Sequence, residues 1–320
     1  MRTPGWCACL LICAATFTPP SAAIAAGPPP LPLPPRLSLA DALSRHADPH
    51  LQAQMQSRLD RNPAWRRLIR ERKMAVGLVD LGRPRAPRFA SVNGETMMYA
   101  ASLPKIAVLM TAFQSFEDGT LKETPRIHDD LVSMIRVSNN HAATRMIDRL
   151  GFRRIARVMT EPRYRLYDAA HGGGLWVGKR YSSNDARFPD PLKGLSHAAT
   201  VDQVCRFYYL LAEGRLVSRE RSREMLDILA DPGLHHKFVH VLDQRAPRAR
   251  LYRKSGTWKI WHADSVLVWG EKWRRYILVG LVESSSGEQI LRDLVPVAEA
   301  ALRSPPERMA SYQAEDETSR

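Results

Sequence analysis

Ser102 and Lys105 place a hydroxyl and an amine three positions apart in the run Ser102-Leu103-Pro104-Lys105, a spacing that brings both side chains to one face of a helical turn. A serine hydroxyl becomes a nucleophile only when a base takes its proton. A lysine serves as that base when desolvation and a nearby cation lower its pKa. Further along stand Ser138-Asn139-Asn140 and then Lys254-Ser255-Gly256-Thr257. Lys-Ser-Gly is the element least expected from composition; S-x-N also occurs at Ser91 and Ser182, so only its place between the other two elements singles out Ser138. Lys254 can supply the cation that depresses Lys105, and the backbone N–H groups of Ser102 and Thr257 can form an oxyanion hole. Those residue types in that order describe acyl transfer through a serine.

Such a site needs a helix start facing a strand, and the hydrophobic pattern provides both. Apolar positions recur at helical intervals from Ser38 to Arg72, and Met74 to Leu81 and Arg88 to Val92 read as a strand pair joined by a Gly/Pro turn. Ser102 opens a mostly helical block that runs to Leu229, interrupted by a loop rich in Gly, Ser and Pro from Arg163 to Ser196. Ser138 falls where the helical patterns Leu131 to Val137 and Ala142 to Leu150 meet. Strand-like runs follow at Arg250 to Trp258, Ser265 to Trp269 and Tyr276 to Glu283, then a helix from Gly287 to Leu302. The expected fold is α+β: one antiparallel sheet flanked by N- and C-terminal helices, with an all-helical lobe inserted between its strands. The cleft between lobe and sheet is the default site.

The ordered triplet S-x-x-K, S-x-N, K-[ST]-G resembles the serine β-lactamase and penicillin-binding-protein superfamily. Ser138-Asn139-Asn140-His141-Ala142-Ala143 and Lys254-Ser255-Gly256-Thr257-Trp258 are most similar to class A β-lactamases, and the likeness extends from about Leu59 to Leu302. The resemblance implies that Ser102 attacks the carbonyl, Lys105 takes its proton, and Ser138 relays a proton to the leaving nitrogen. It further implies that Asn140 holds the substrate amide and that Lys254 with Ser255 binds a carboxylate. The chain departs from the class A pattern in three ways. Asn139 replaces the acidic middle residue of S-D-N, only 36 residues separate Ser102 from Ser138, and the loop lacks the E-x-x-L-N element whose glutamate positions the deacylating water. Glu161, Asp168 and His171 are the candidates left for that role.

The remaining features bound the function. The chain has 320 residues and a net charge of +14, carried mainly by arginine, which favours anionic partners. With no zinc-finger spacing, RNP motif or basic zipper, nucleic-acid binding is not expected. Arg2, the apolar run from Trp6 to Phe17 and the small residues up to Ala26 form a signal-peptide pattern over residues 1–25. No segment is long and apolar enough to span a bilayer. A Pro-rich linker at 26–37, a hydrolase domain at 38–303 and a polar, disordered tail at 304–320 complete the reading. Cys7, Cys9 and Cys13 leave with the leader, which leaves Cys205 as a buried core thiol; lipidation at Cys13 is the alternative. His236 and His240 share a helix face without a third ligand, so neither metal nor cofactor is expected.

The expectation is an exported, periplasmic serine hydrolase (secreted if the cell has one membrane) that forms an acyl-enzyme on Ser102 and hydrolyses a β-lactam amide. One alternative is a D,D-peptidase-like enzyme acting on peptidoglycan stem peptides. The other is a non-catalytic protein whose charge docks it on an anionic cell envelope.

Overall fold

The computed structural model describes residues 30–33, 43–181 and 187–304. The leader at 1–25, Cys13 and the tail beyond Ser304 lie outside the described residues.

Two short helices open the body, α1 (Pro49–Asp60) and α2 (Pro63–Arg70). Each starts with proline in its first turn behind a side-chain cap: Asp48 accepts from the Leu51 N–H and Asn62 from those of Ala64 and Trp65. Leu51, Met55 and Leu59, four apart, form the buried stripe of α1. Strands β1 (Met74–Asp80), β2 (Arg88–Val92) and the short β3 (Met98–Tyr99) follow. The helical lobe then comprises α3 (Lys105–Glu117), α4 (Pro125–Arg136), α5 (Asn140–Leu150) and α6 (Phe152–Thr160).

The stretch from Arg163 to Ser196 expected to be loop holds three short strands, β4 (Tyr167–Asp168), β5 (Gly173–Gly174) and β6 (Trp176–Val177), and β7 (His197–Ala199) follows directly after it. β4 pairs with β5, while β3, β7 and β6 form a small three-stranded sheet. After α7 (Val201–Ala212), α8 (Arg219–Leu229) and α9 (Phe238–Arg245), the chain returns as β8 (Arg250–Trp258), β9 (Trp261–Trp269) and β10 (Arg275–Glu283). It closes with α10 (Gly287–Leu302).

The main sheet is antiparallel in the order β2-β1-β10-β9-β8, so strands from both ends of the sequence combine around the inserted lobe. Successive residues of a strand face opposite sides. In β1, Ala75 and Val79 join the core beneath α7 and the lobe, whereas Met74, Val76 and Leu78 join the core under α1 and α10. β10 repeats the split, with Ile277, Val279 and Leu281 on one side and Tyr276, Leu278 and Val282 on the other. Gly77 keeps the first face open for Cys205, whose Sγ would lie 2.6 Å from a Cβ at that position. Part of the Pro-rich stretch is held on the body: Leu33 is buried, its N–H donates to Ala212 O at 2.6 Å, and Arg219 donates to the Leu33 and Pro32 carbonyls. No helix among the described residues is long and apolar enough to cross a membrane.

Candidate active site

β8 is one of the two edge strands of the sheet, and it meets the lobe where the serine-bearing turn precedes α3. That turn, 101–104, is wound tightly by i→i+3 bonds, Leu103 N–H to Ala100 O and Lys105 N–H to Ser102 O. Ala101 within it has φ +49°, the left-handed region. Regular α-helix begins at Lys105, so Ser102 stands one turn ahead of it. Gly256 is the point of contact, because a Cβ there would lie 2.3 Å from Ala100 O and 2.7 Å from Ser102 N. Only a residue without a side chain lets the strand approach the turn so closely.

Ser138 occupies the joint between α4 and α5 with φ +59°. Asn139 caps α5 by accepting from the Ala142 N–H at 3.0 Å, which gives the middle residue of Ser-Asn-Asn a structural task. The Ser138 hydroxyl lies 3.3 Å from Lys105 Nζ and 3.0 Å from Lys254 Nζ. Lys105 also donates to Ser138 O at 2.6 Å and Asn140 Oδ1 at 2.8 Å, and Lys254 to Ser255 O at 2.8 Å. Both lysines are buried. Burial lowers Lys105 to about 7. Lys254 falls well below the usual lysine range, first through burial and then through the charge of Lys105. Two amines that share one hydroxyl in a dry site do not both hold a proton easily.

The cleft over this network has a volume of about 710 Å³, and Ser102, Asn140 and Thr257 line it. Lys105, Ser138 and Lys254 sit behind as a hydrogen-bonded layer. Ser255 is buried and shares a 3.2 Å hydrogen bond with His236 Nε2. Lys179, Arg180, Arg187, Trp258 and Trp261 also line the cleft. Arg180 pairs with Asp148, and Arg187 donates to Gly194 O. No carboxylate lines the cleft among the described residues.

The three candidates for a deacylating group stand elsewhere. Glu161 pairs with Arg163 at 2.6 Å. Asp168 pairs with Arg165 and caps the turn at Ala170, while His171 bonds Glu95 at 2.9 Å. Asp168 and His171 line a separate pocket of about 210 Å³.

Three residues of the site carry no signal in the sequence. The Tyr181 ring packs on Lys105, with Nζ 4.5 Å from its centroid, and its hydroxyl donates to Ala101 O at 3.2 Å. His197 lies against Tyr181 with ring centroids 4.2 Å apart and donates from Nε2 to Lys179 O at 3.1 Å. Burial lowers it to about 4, which keeps the imidazole neutral. Behind β8, Lys237 is fully buried and donates to Gly256 O at 2.6 Å, Thr257 Oγ1 at 2.7 Å and Ala263 O at 3.1 Å. Of the two histidines weighed as metal ligands, His236 is taken up by Ser255 and His240 is exposed.

A helical lobe inserted into a five-stranded antiparallel sheet, with a serine and two lysines converging at their junction, is the architecture of the serine β-lactamases and penicillin-binding proteins. A β-lactamase from Sphaerobacter thermophilus DSM 20745 is 17% identical with a TM-score of 0.60, over 80% of this chain and 98% of that one. A class A β-lactamase representative from Bacteroides cellulosilyticus DSM 14838 is 13% identical with a TM-score of 0.60, over 81% and 100%. PBP-A is 19% identical with a TM-score of 0.57, over 85% and 98%. At these identities the structures show the fold alone. No curated protein sequence matches the chain. The beta-lactamase enzyme family model matches residues 123–301, and the chain belongs to that family.

Proposed function

We propose that this protein is an exported serine hydrolase that forms an acyl-enzyme on Ser102 with β-lactams or similar acyl amides. One observation carries the reading: the Ser138 hydroxyl lies 3.3 Å from Lys105 Nζ and 3.0 Å from Lys254 Nζ, beside the Ser102 turn. Lys105, brought to about 7 by burial, is the base that frees the Ser102 hydroxyl as Oγ adds to the carbonyl. The developing oxyanion meets the N–H groups of Ser102 and Thr257. Ser138 passes a proton from the lysine pair to the departing nitrogen. Asn140 and Thr257 reach the substrate directly. Lys254 and Ser255 are buried and act on a substrate carboxylate through charge and through the position of Thr257.

A second reading, a D,D-peptidase-like enzyme that β-lactams acylate and leave slowly, is favoured by what packs on Lys105. A tyrosine ring sits there, and no carboxylate lines the cleft among the described residues. Intact mass of the protein with a penicillin, followed over time, separates the readings. A transient adduct with accumulating product supports β-lactam hydrolysis, and a persistent adduct supports the peptidase. No adduct overturns acylation by β-lactams.

A further inference from the structure

We infer that Lys237 is a positioning cation for the oxyanion hole: it bonds the carbonyl end of the Gly256–Thr257 peptide, whose opposite end is the Thr257 N–H. The inference rests on the reading of Ser102 as the acylated nucleophile. The C=O and N–H of a trans peptide point in opposite directions. Gly256 O accepts from Lys237 at 2.6 Å behind β8. The N–H of the same peptide therefore points away from Lys237, at a residue that lines the cleft with Ser102. A bond to Thr257 Oγ1 at 2.7 Å fixes the orientation, and one to Ala263 O at 3.1 Å ties β8 to its register partner on β9.

An ammonium has three N–H donors, and here each has an oxygen. Among the described residues none of those oxygens belongs to a carboxylate, and no acid lies within ion-pair distance of Lys237. Asp264 and Glu288 act on Lys237 only through the field, and Asp264 is held by Arg253 at 2.7 Å. The direct bonds of Lys237 go to the peptide carbonyls and to Thr257 Oγ1. Hydrogen bonds in series polarise one another, and a charge-assisted bond to the carbonyl makes the N–H of the same peptide a stronger donor. A donor aimed where charge develops strengthens most in the transition state.

The surroundings hold this lysine in place. Its backbone is in the left-handed region, φ +53°. The next N–H, of Phe238, donates to Asp264 Oδ2 at 3.1 Å. Arg253 donates to Leu234 O and His236 O on the segment that leads into it. Asp264 and Arg253 therefore clamp the main chain on both sides of Lys237. Burial lowers its pKa only to about 8, so it is charged at neutral pH.

The test compares the full mature protein with Lys237→Met, which keeps the length of the side chain without its charge, and Lys237→Arg, which keeps the charge. Benzylpenicillin acylation is resolved into a saturating rate and a binding constant, and the acyl carbonyl stretch of the adduct is read by infrared difference spectroscopy. The Met variant should lose roughly tenfold to a hundredfold in the saturating rate, less than the roughly hundredfold to thousandfold cost of removing an oxyanion donor outright. Its binding constant should change little, and its carbonyl band should move to higher wavenumber. Lys237→Arg should recover part of both. A Met variant with the parent's rate and carbonyl band overturns the inference. If the Met variant does not fold, Lys237→Gln, which is neutral but keeps amide donors, is read the same way, and parental values there overturn it equally. Failure of the underlying reading looks different, since the parent protein itself would then form no adduct.

Discussion

Lys105 and Lys254 meet across one oxygen atom, the Ser138 hydroxyl, at 3.3 and 3.0 Å. Both amines are buried, and each also donates to a backbone carbonyl, Lys105 to that of Ser138 and Lys254 to that of Ser255. Three groups on an α-helix, an interhelical joint and an edge strand thus form one hydrogen-bonded cluster. In the proposed mechanism this cluster moves the protons.

Acylation should follow the titration of Lys105. Lys105 is lowered to about 7 by burial, and only its unprotonated form accepts the Ser102 proton. The acylation rate constant should rise with pH through about 7 and level off above it. Stopped-flow acylation between pH 5 and 9 checks this, and a flat profile would exclude Lys105 as the base.

Stability carries the opposite bookkeeping of the same protons. Both lysines have folded pKa values below their unfolded ones, so between about 7 and the unfolded lysine value of about 10.4 the unfolded chain binds more protons. Stability then rises with pH. Thermal midpoints measured from pH 7 to 9 should increase, and Lys105→Met should flatten the slope.

Ser102→Ala should abolish the covalent adduct, with a loss of roughly a thousandfold or more in any residual hydrolysis. The side chain is only partly buried, so the thermal midpoint should hardly move. An adduct that survives this change would remove Ser102 as the nucleophile.

Gly256→Ala should separate strand from turn. The new methyl would sit 2.3 Å from Ala100 O, and backbone cannot yield as a flexible side chain does. We expect destabilisation of about 1–3 kcal/mol together with a loss of acylation larger than the stability change accounts for. Denaturant melts and adduct kinetics on one sample distinguish the two effects.

The cleft wall formed by Lys179, Arg180 and Arg187 should favour an acyl group that carries its own carboxylate. Carboxybenzylpenicillin should acylate Ser102 several-fold faster than benzylpenicillin at low ionic strength, and the gap should close as salt screens the exposed charges. Equal rates at low salt would show that the wall does not read substrate charge.

What the sequence made legible follows a physical line. Ser102, Lys105, Ser138 and Lys254 belong to short patterns whose order survives without any knowledge of packing, and the structure joins Lys105, Ser138 and Lys254 by hydrogen bonds behind a cleft that Ser102 lines. β1 and β10 were legible because their apolar runs are nearly continuous. β9 starts at Trp261, ahead of the Ser265 expected, because His262 and Asp264 break the apolar run. Burial of Asp264 becomes acceptable only once Arg253 pairs with it across the strands. Tyr181, His197 and Lys237 had no pattern to betray them, since each acts alone from a loop or a segment end and gains its role from tertiary contact. The deacylation candidates were chosen by residue type within a loop whose path the sequence does not specify. That path carries Asp168 and His171 to another pocket.

The contact between Gly77 and Cys205 has a practical consequence. Cys205 is the only free cysteine among the described residues, it is buried, and its Sγ fills the space that Gly77 leaves on the sheet. A thiol reagent can reach it only when α7 parts from β1. The rate at which Cys205 reacts in the native protein is therefore a gauge of how often α7 and β1 come apart, and a ligand that seals the cleft should slow that reaction.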